Sequence, residues 1–457
     1  MGRKELGEMH DSLFAHAARC AGYTNTHTDA FEIYVSGKQI TTLNISGGQV
    51  TGQDGTSLGI GIKVAVKGRL GYSSSTDLTP GGIKRMVTDA IKVAKAIDYR
   101  DEKFKGFAAP SQRNGKDGII SSRIISLDGG ELSELAGETY QESLAVSKKV
   151  VSSDVSASRE YGAYVIVNSE GVEASSRFAF AGMSCYTTVS DGGDRKTGSE
   201  FDLTRRKLRD GIGREAAGRG LASLGAKPLG GTKVLPCVLE NQVVAGFMLY
   251  GCGSAINGRA VVEERSPWAD KLGDQLAVRS LSILDDGQLP DAISTSSVDA
   301  EGVPMKNKKI IENGVLKSFI FNTYFGSIFG SRSTGNAFRS GYAPHTSVAG
   351  ISPSTLVIPK GRRSLDGLIS GIDDGILVQG DVMGMGHVNT ITGDFSVVSL
   401  TPMQVKKGSV ESPLQPITVA GNMYKAMANI AEIGSDARLT SKTFTPSIAF
   451  EGFTVSG

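Results

Sequence analysis

The chain is poor in the residues that usually give chemistry away. Its 457 residues include only four cysteines, Cys20, Cys185, Cys237 and Cys252, with no C-x-x-C pair and none beside a histidine. A disulfide scaffold needs far denser cysteine, so the spacing predicts reduced, buried thiols in an intracellular protein. Histidine is as scarce: His10, His16, His27, His345 and His387. No H-E-x-x-H spacing occurs, and His10 and His16 are out of phase on one helix, so local sequence assembles no zinc site. A surplus of one charge is also missing. The 49 Lys+Arg stand against 47 Asp+Glu, a formal charge of +2, which removes the electrostatic basis for nucleic-acid binding and leaves no acidic tail. Long apolar runs are absent as well. The N-terminal stretch MGRKELGEMHDSLF lacks the apolar core of a signal peptide, and the longest apolar-and-small run, 243–256, falls short of the roughly 18 residues a membrane span needs. These absences predict a soluble, cytoplasmic protein.

What is abundant is glycine, 59 residues, about double the usual share of roughly 7%. Scattered between apolar runs, it predicts a strand-rich protein with many tight turns. The length predicts two or three domains at roughly 100–200 residues each. Leu6, Met9, Leu13, Ala17 and Cys20 keep helical spacing, with Gly22 as a stop. Strands are predicted at 30–35 and 40–45 with Ser36-Gly37 as their turn, and at 60–66, where apolar residues alternate. Thr79-Pro80 marks a helix start, an N-cap followed by proline at the first helical position. A link follows at 104–116, then a helix through Leu132 and Leu144 and a hairpin turning at 168–171. Next come a mobile loop at 190–200 and a helix at 205–224. Beyond a boundary at 228–231 the chain reads as strands. Asn313-Gly314 turns a hairpin within 310–320, further strands fall at 355–358, 375–378 and 395–400, and a late helix spans 422–433. The fold class predicted is α+β: helix-plus-strand units at 1–103 and 117–227, then a larger β-rich domain at 232–457.

Several signatures nearly form and fail. Gly55-Thr56-Ser57-Leu58-Gly59 spells G-x-S-x-G, but a nucleophile elbow must pass into a helix and here a strand follows. Two G-x-x-x-x-G spacings, at 220–225 and 225–230, lack the Lys-Ser/Thr pair of a phosphate loop. Glu263-Glu264 and Asp373-Asp374 are adjacent rather than facing, which suits solvated turns better than joint acid–base work.

The C-terminal half carries more specific stretches. Ser294-Thr295 and Asp299-Ala300-Glu301-Gly302 lead to Ile310-Ile311-Glu312-Asn313-Gly314-Val315-Leu316, then Ser333-Thr334-Gly335-Asn336. Thr392-Gly393-Asp394-Phe395-Ser396 and the run from Gln415-Pro416 to Gly421-Asn422 follow, ending near Ile433-Gly434-Ser435-Asp436. In this order, and with Ser75-Thr76-Asp77-Leu78 in the N-terminal half, the chain resembles the TldD/PmbA family, also called the modulator-of-gyrase family. The resemblance implies two kinds of subunit. The TldD kind carries H-E-x-x-x-H on a helix and a cysteine near the C-terminus, which hold zinc and supply a general base. The TldE or PmbA kind lacks that motif. Here the matching helix reads Asn241-Gln242-Val243-Val244-Ala245-Gly246. Asn241 and Gly246 stand at the histidine positions and Gln242 at the glutamate, and 437–446 contains no cysteine.

Neutral amides and a bare glycine cannot replace imidazole as zinc ligands, and Gln cannot take a proton from bound water. The resemblance therefore implies no catalytic residues and no cofactor in this chain, with zinc on its partner. It implies a non-catalytic, TldE/PmbA-like subunit of a cytosolic peptidase complex that processes unfolded peptides, as a heterodimer with a TldD-like subunit or as a homodimer. No direct contact with nucleic acid or membrane is expected. Ser333, Thr334, Gly335 and Asn336, with Gly393, Asp394, Phe395 and Ser396, are expected to line the peptide groove, by strand-edge pairing. Two other readings stand beside it. One is a stand-alone hydrolase built around Cys252, whose flanking glycines leave the thiol little cover, or His387. The other is a protein-interaction module of the gyrase-modulator type.

Overall fold

The computed structural model describes residues 2–111 and 115–457, so part of the link predicted at 104–116, residues 112–114, lies outside the described residues. Helix α1 (Gly2–Thr24) buries Leu6, Leu13, Ala17 and Cys20 along one stripe. It is followed by β1 (Ala30–Ser46), β2 (Gln49–Val66) and β3 (Arg69–Ser75). Then comes α2 (Pro80–Ala96), where the Gly82 N–H donates to the Thr79 hydroxyl at 3.2 Å, as the Thr-Pro signal predicts. The next elements are α3 (Ser122–Ser126), α4 (Gly129–Ala145), β4 (Val150–Asn168), β5 (Glu173–Asp191), β6 (Asp194–Thr204) and α5 (Ile212–Ala222).

The six strands form one antiparallel sheet in the order β3-β2-β1-β4-β5-β6. Strands from both N-terminal units therefore share a single sheet, joined where β1 pairs with β4 from Glu32–Asn168 to Ser46–Asp154. Alternation sorts their side chains onto two faces. Ile33, Val35, Ile62 and Val165 pack against the helices, whereas Tyr34, Ile166 and Ala174 pack against Val298, Ala300 and Ala337 of the C-terminal region.

Two local expectations are corrected here. Ser36-Gly37 is not a turn. It lies inside β1 with Gly59 and Leu58 on one side and Tyr164 and Ala163 on the other. The close approach requires glycine on the neighbouring strand, because a Cβ on Gly162 would come within 2.3 Å of the Gly37 carbonyl. The stretch 190–200 is not a loop but the tight β5–β6 hairpin, turned at Gly192 (φ 55°) and Gly193 (φ 92°). The helix predicted at 205–224 begins only at Ile212. Before it, the buried Arg205 guanidinium donates to the carbonyls of Ala292, Ile293 and Thr295, tying the sheet to the C-terminal region.

The C-terminal region begins with β7 (Thr232–Leu239) and α6 (Asn241–Phe247), which continues as a π-helical turn over Met248–Cys252. Strand β7 sits mid-sheet among nine strands, antiparallel to Ile448–Ser456 and parallel to Asp374–Val378. A second sheet of six strands contains β8 (Ile283–Asp286), β9 (Asn307–Glu312) and β10 (Val315–Leu316). The β9–β10 hairpin turns at Asn313 (φ 50°) and Gly314 (φ 80°), as predicted. The late helix is shorter than expected. It covers Met423–Ala426, passes through a 3-10 turn to Asn429, and gives way to a strand at Ile430–Ile433. Ile430 and Ile433 pair with Phe450 and Ile448, so tertiary burial overrides helical spacing. Among the described residues, no helix is long and apolar enough to cross a membrane.

Candidate functional site

Helix α6 leaves the C-terminal edge of β7, next to the parallel strand Asp374–Val378. Its N-cap residue, Glu240, does not cap the helix with its side chain. Instead the carboxylate accepts from Arg219 at 2.7 and 3.0 Å and from the Gly380 N–H at 2.9 Å. Asn241 is 9% exposed, and its side-chain amide donates to the Asp436 carbonyl at 3.0 Å. The Asp436 carboxylate is already engaged by Ser447, through its N–H at 2.9 Å and its hydroxyl at 2.6 Å. Gln242 donates to Glu200 at 3.2 Å. A Cβ on Gly246 would touch Met385 at 3.4 Å, so the segment around Met385 covers the third position.

Glu200, on β6, is the centre of this region. Its side chain is fully buried and meets Arg438 at 2.8 Å, Arg209 at 3.2 Å and Arg219 at 3.3 Å. Burial opposes its ionisation. The Arg438 guanidinium, the Phe201 N–H and Arg219 outweigh that cost and hold the carboxyl below the usual glutamate range. Arg219 is correspondingly held above its ordinary value by Glu240 and Glu200, against the desolvation that burial imposes.

A zinc site does not fit these residues. The metal needs imidazole nitrogen, thiolate or carboxylate electron pairs. Asn241 and Gln242 turn N–H donors toward oxygen acceptors, and Gly246 offers nothing. Among the described residues, no three His, Cys, Asp or Glu side chains cluster to hold a metal ion.

The other candidate residues are dispersed. Phe321 N–H donates to the Thr334 hydroxyl at 2.7 Å, and the Ser333 hydroxyl donates to the Phe321 carbonyl at 3.3 Å. Asn336 is buried and donates to Asp285 at 2.7 Å while accepting from Lys308 at 2.9 Å. Gly335 and Asn336 also line a cleft against the N-terminal sheet. The Gly393 carbonyl accepts from the Met423 N–H at 2.8 Å. Asp394 accepts from Asn422 at 2.8 Å and Thr392 at 2.7 Å, and these bonds hold its carboxyl below the usual range. Phe395 lies in the core, edge-on to Phe247 of α6 at 4.7 Å, and Ser396 is exposed on its strand.

The expectation that Cys252 has little cover is overturned. The residue is 4% exposed in the core beneath α6, and burial raises its thiol far above the ordinary value, so it is a packed side chain rather than a nucleophile. His345 is 2% exposed and lies against Gly59 of the N-terminal sheet, while His387 is exposed on a 3-10 turn. Neither joins Cys252 in a ligand cluster. Near His345, Glu32 is buried against Arg339 at 3.0 Å. Burial and the neighbouring Glu301 push the Glu32 carboxyl up to about 7, despite Arg339.

The sequence matches the PmbA/TldA metallopeptidase domain 1 over residues 31–94, the central domain over 123–224 and the C-terminal domain over 232–457. The chain belongs to the PmbA/TldD family. Curated relatives include the metalloprotease PmbA of Escherichia coli O157:H7, 26% identical over 94% of this chain and 93% of that one. A PmbA homologue of Haemophilus influenzae is 27% identical over 87% of this chain and 85% of its own length. Among solved structures, TldE of Thermococcus kodakarensis superposes with a TM-score of 0.87 at 23% identity, covering 97% of this chain and all of that one. Within this PmbA/TldD frame, the residues that sequence reasoning missed are Glu200, Glu240, Arg219 and Arg438. They come from four separate elements, and no local spacing marks them.

Proposed function

We propose that this protein is a non-catalytic, TldE/PmbA-like subunit of a cytosolic zinc peptidase complex. A TldD-like subunit brings the metal and the general base, and the pair processes unfolded peptides. The observation that carries this reading is the hydrogen bonding of α6. Where a catalytic sibling has two imidazoles and a carboxylate, Asn241 and Gln242 donate to Asp436 and Glu200. The helix still packs, through Val243, Val244 and Met248 in the core, so the scaffold persists without the chemistry. The role left to such a chain is to complete the chamber and hold substrate, with Gly335 and Asn336 on its wall.

The test is reconstitution. The purified chain alone is expected to carry no stoichiometric zinc and to cleave no peptide. Mixed with a TldD-like chain, it is expected to form a stable complex by light scattering and to support cleavage of an unstructured peptide. One zinc per chain together with cleavage by the lone protein overturns the reading.

A further inference from the structure

One feature left unexplained lies between the N-terminal sheet and the C-terminal region. A cleft of about 380 Å³ opens there, within the usual range of ligand sites. Phe178 and Phe180, stacked 6.1 Å apart on β5, form one wall, and Phe338, 42% exposed, faces the cleft from the other side. A side cavity of about 160 Å³ shares Tyr164, Phe178 and Phe338.

The charges that line this cleft do not balance. Lys38 is paired with Glu160 at 3.1 Å, and Arg339 with Glu32. Lys442 has no carboxylate within ion-pair distance among the described residues. Its ammonium donates to the Ser352 hydroxyl at 2.8 Å and sits 3.6 Å from the centre of the Phe338 ring. Asp285 lies nearby but is already committed to Lys308 at 2.9 Å. Burial therefore lowers Lys442 to about 8, although the nearby Asp285 carboxylate opposes the shift. A half-buried cation that lines a cavity without a carboxylate partner calls for an anion.

We propose that this cleft binds the C-terminal residue of a peptide, the carboxylate on Lys442 and an apolar side chain among Phe178, Phe180 and Phe338. The ligand must carry both groups close together, because the ammonium and the Phe338 ring are themselves in contact. An α-carboxylate beside an apolar side chain meets that condition. One ammonium suits one carboxylate, whereas a phosphate ester would call for a forked guanidinium or several donors. The peptide identity of the ligand rests on the proposed role in peptide processing, but the site is a property of this chain alone.

The experiment uses the intact chain without partner or zinc, and calorimetric titration with acetyl-Ala-Ala-Phe as free acid and as C-terminal amide. The acid is expected to bind, the amide at least about tenfold more weakly. Lys442→Met is expected to lose about the same factor for the acid, Lys442→Arg to keep most of the affinity, and Phe338→Ala to weaken both forms. At pH 8.5 binding is expected to take up protons, because the arriving carboxylate restores the ammonium. Equal affinity for acid and amide, or a well-folded Lys442→Met variant that binds normally, overturns the proposal, as does the absence of binding at millimolar acid. If 3-phenylpropanoate binds as tightly as the tripeptide, the peptide assignment is overturned. None of these outcomes depends on cleavage, so the subunit reading fails separately, by activity in the lone chain.

Discussion

The segment that runs from Asp436 to Lys442 connects two polar regions built on opposite terms. At the Asp436 end, the side-chain donors of Asn241, Gln242 and Ser447 meet oxygen acceptors, and Glu200 is surrounded by three guanidinium groups. At the other end, Lys442 lines a cavity and has no carboxylate partner among the described residues. The contrast separates structure from availability. Polar groups satisfied inside the protein hold domains together, whereas one that is desolvated and unmatched is free to engage a ligand.

The sharpest way to break this contrast is to remove one group from each side. Glu200→Ala leaves the Arg438 guanidinium without its carboxylate and Arg209 and Arg219 with only Glu215 and Glu240, and is expected to cost about 3–5 kcal/mol in denaturant unfolding. Lys442→Met is expected to change stability by less than about 1 kcal/mol, since no ion pair is lost. Similar losses in the two variants would erase the distinction.

Glu32 provides an intermediate case, paired with Arg339 yet crowded by Glu301. Unfolded, its carboxyl titrates near 4.5, and in the fold near 7. The folded state therefore binds more protons between these values. The stabilisation is fully present below about 4.5 and is lost as pH rises towards about 7, an effect on the order of 3 kcal/mol. Glu32→Gln is expected to flatten that part of the stability–pH curve, measured by urea unfolding at stepped pH.

A third experiment refills the vacant ligand positions. Asn241→His, Gln242→Glu and Gly246→His together are expected to yield a chain with far less than one zinc after gel filtration. Two imidazoles lack a third protein ligand, and Met385 occupies the approach to residue 246. Stoichiometric zinc by metal analysis would show that Asp436 or another neighbour can serve. A modest effect is expected at an ordinary satisfied group far from either region: Thr79→Ala should lower stability by about 1 kcal/mol through loss of the bond from Gly82, read as a shift in melting temperature.

What was legible in the sequence is what depends on local chemistry. Thr79-Pro80 starts α2, Asn313-Gly314 turns a hairpin, and Asn168 turns another by accepting from Glu170 and Val172 at 3.0 Å. Misreadings arose where distant strands decide. Ser36-Gly37 looks like a turn until Gly162 is placed beside it, and 422–433 looks helical until Phe450 and Ile448 claim Ile430 and Ile433. For the site, the amide-for-imidazole exchange at Asn241 was readable through the family resemblance. The arginine network was not, because Glu200, Arg209, Arg219 and Arg438 converge only in the folded chain. Lys442 likewise carries no local signal, since its isolation is defined by what the tertiary structure leaves around it.

The long seam between β1 and β4 also sets a timetable for biosynthesis. Glu32 lies opposite Asn168 in the sheet, so the first strand leaves the ribosome with one flank bare until that partner emerges. At about 5–20 residues per second the wait is on the order of 10 s, during which an extended edge is open to wrong neighbours. The nascent protein thus has a period of vulnerability that the finished sheet no longer displays.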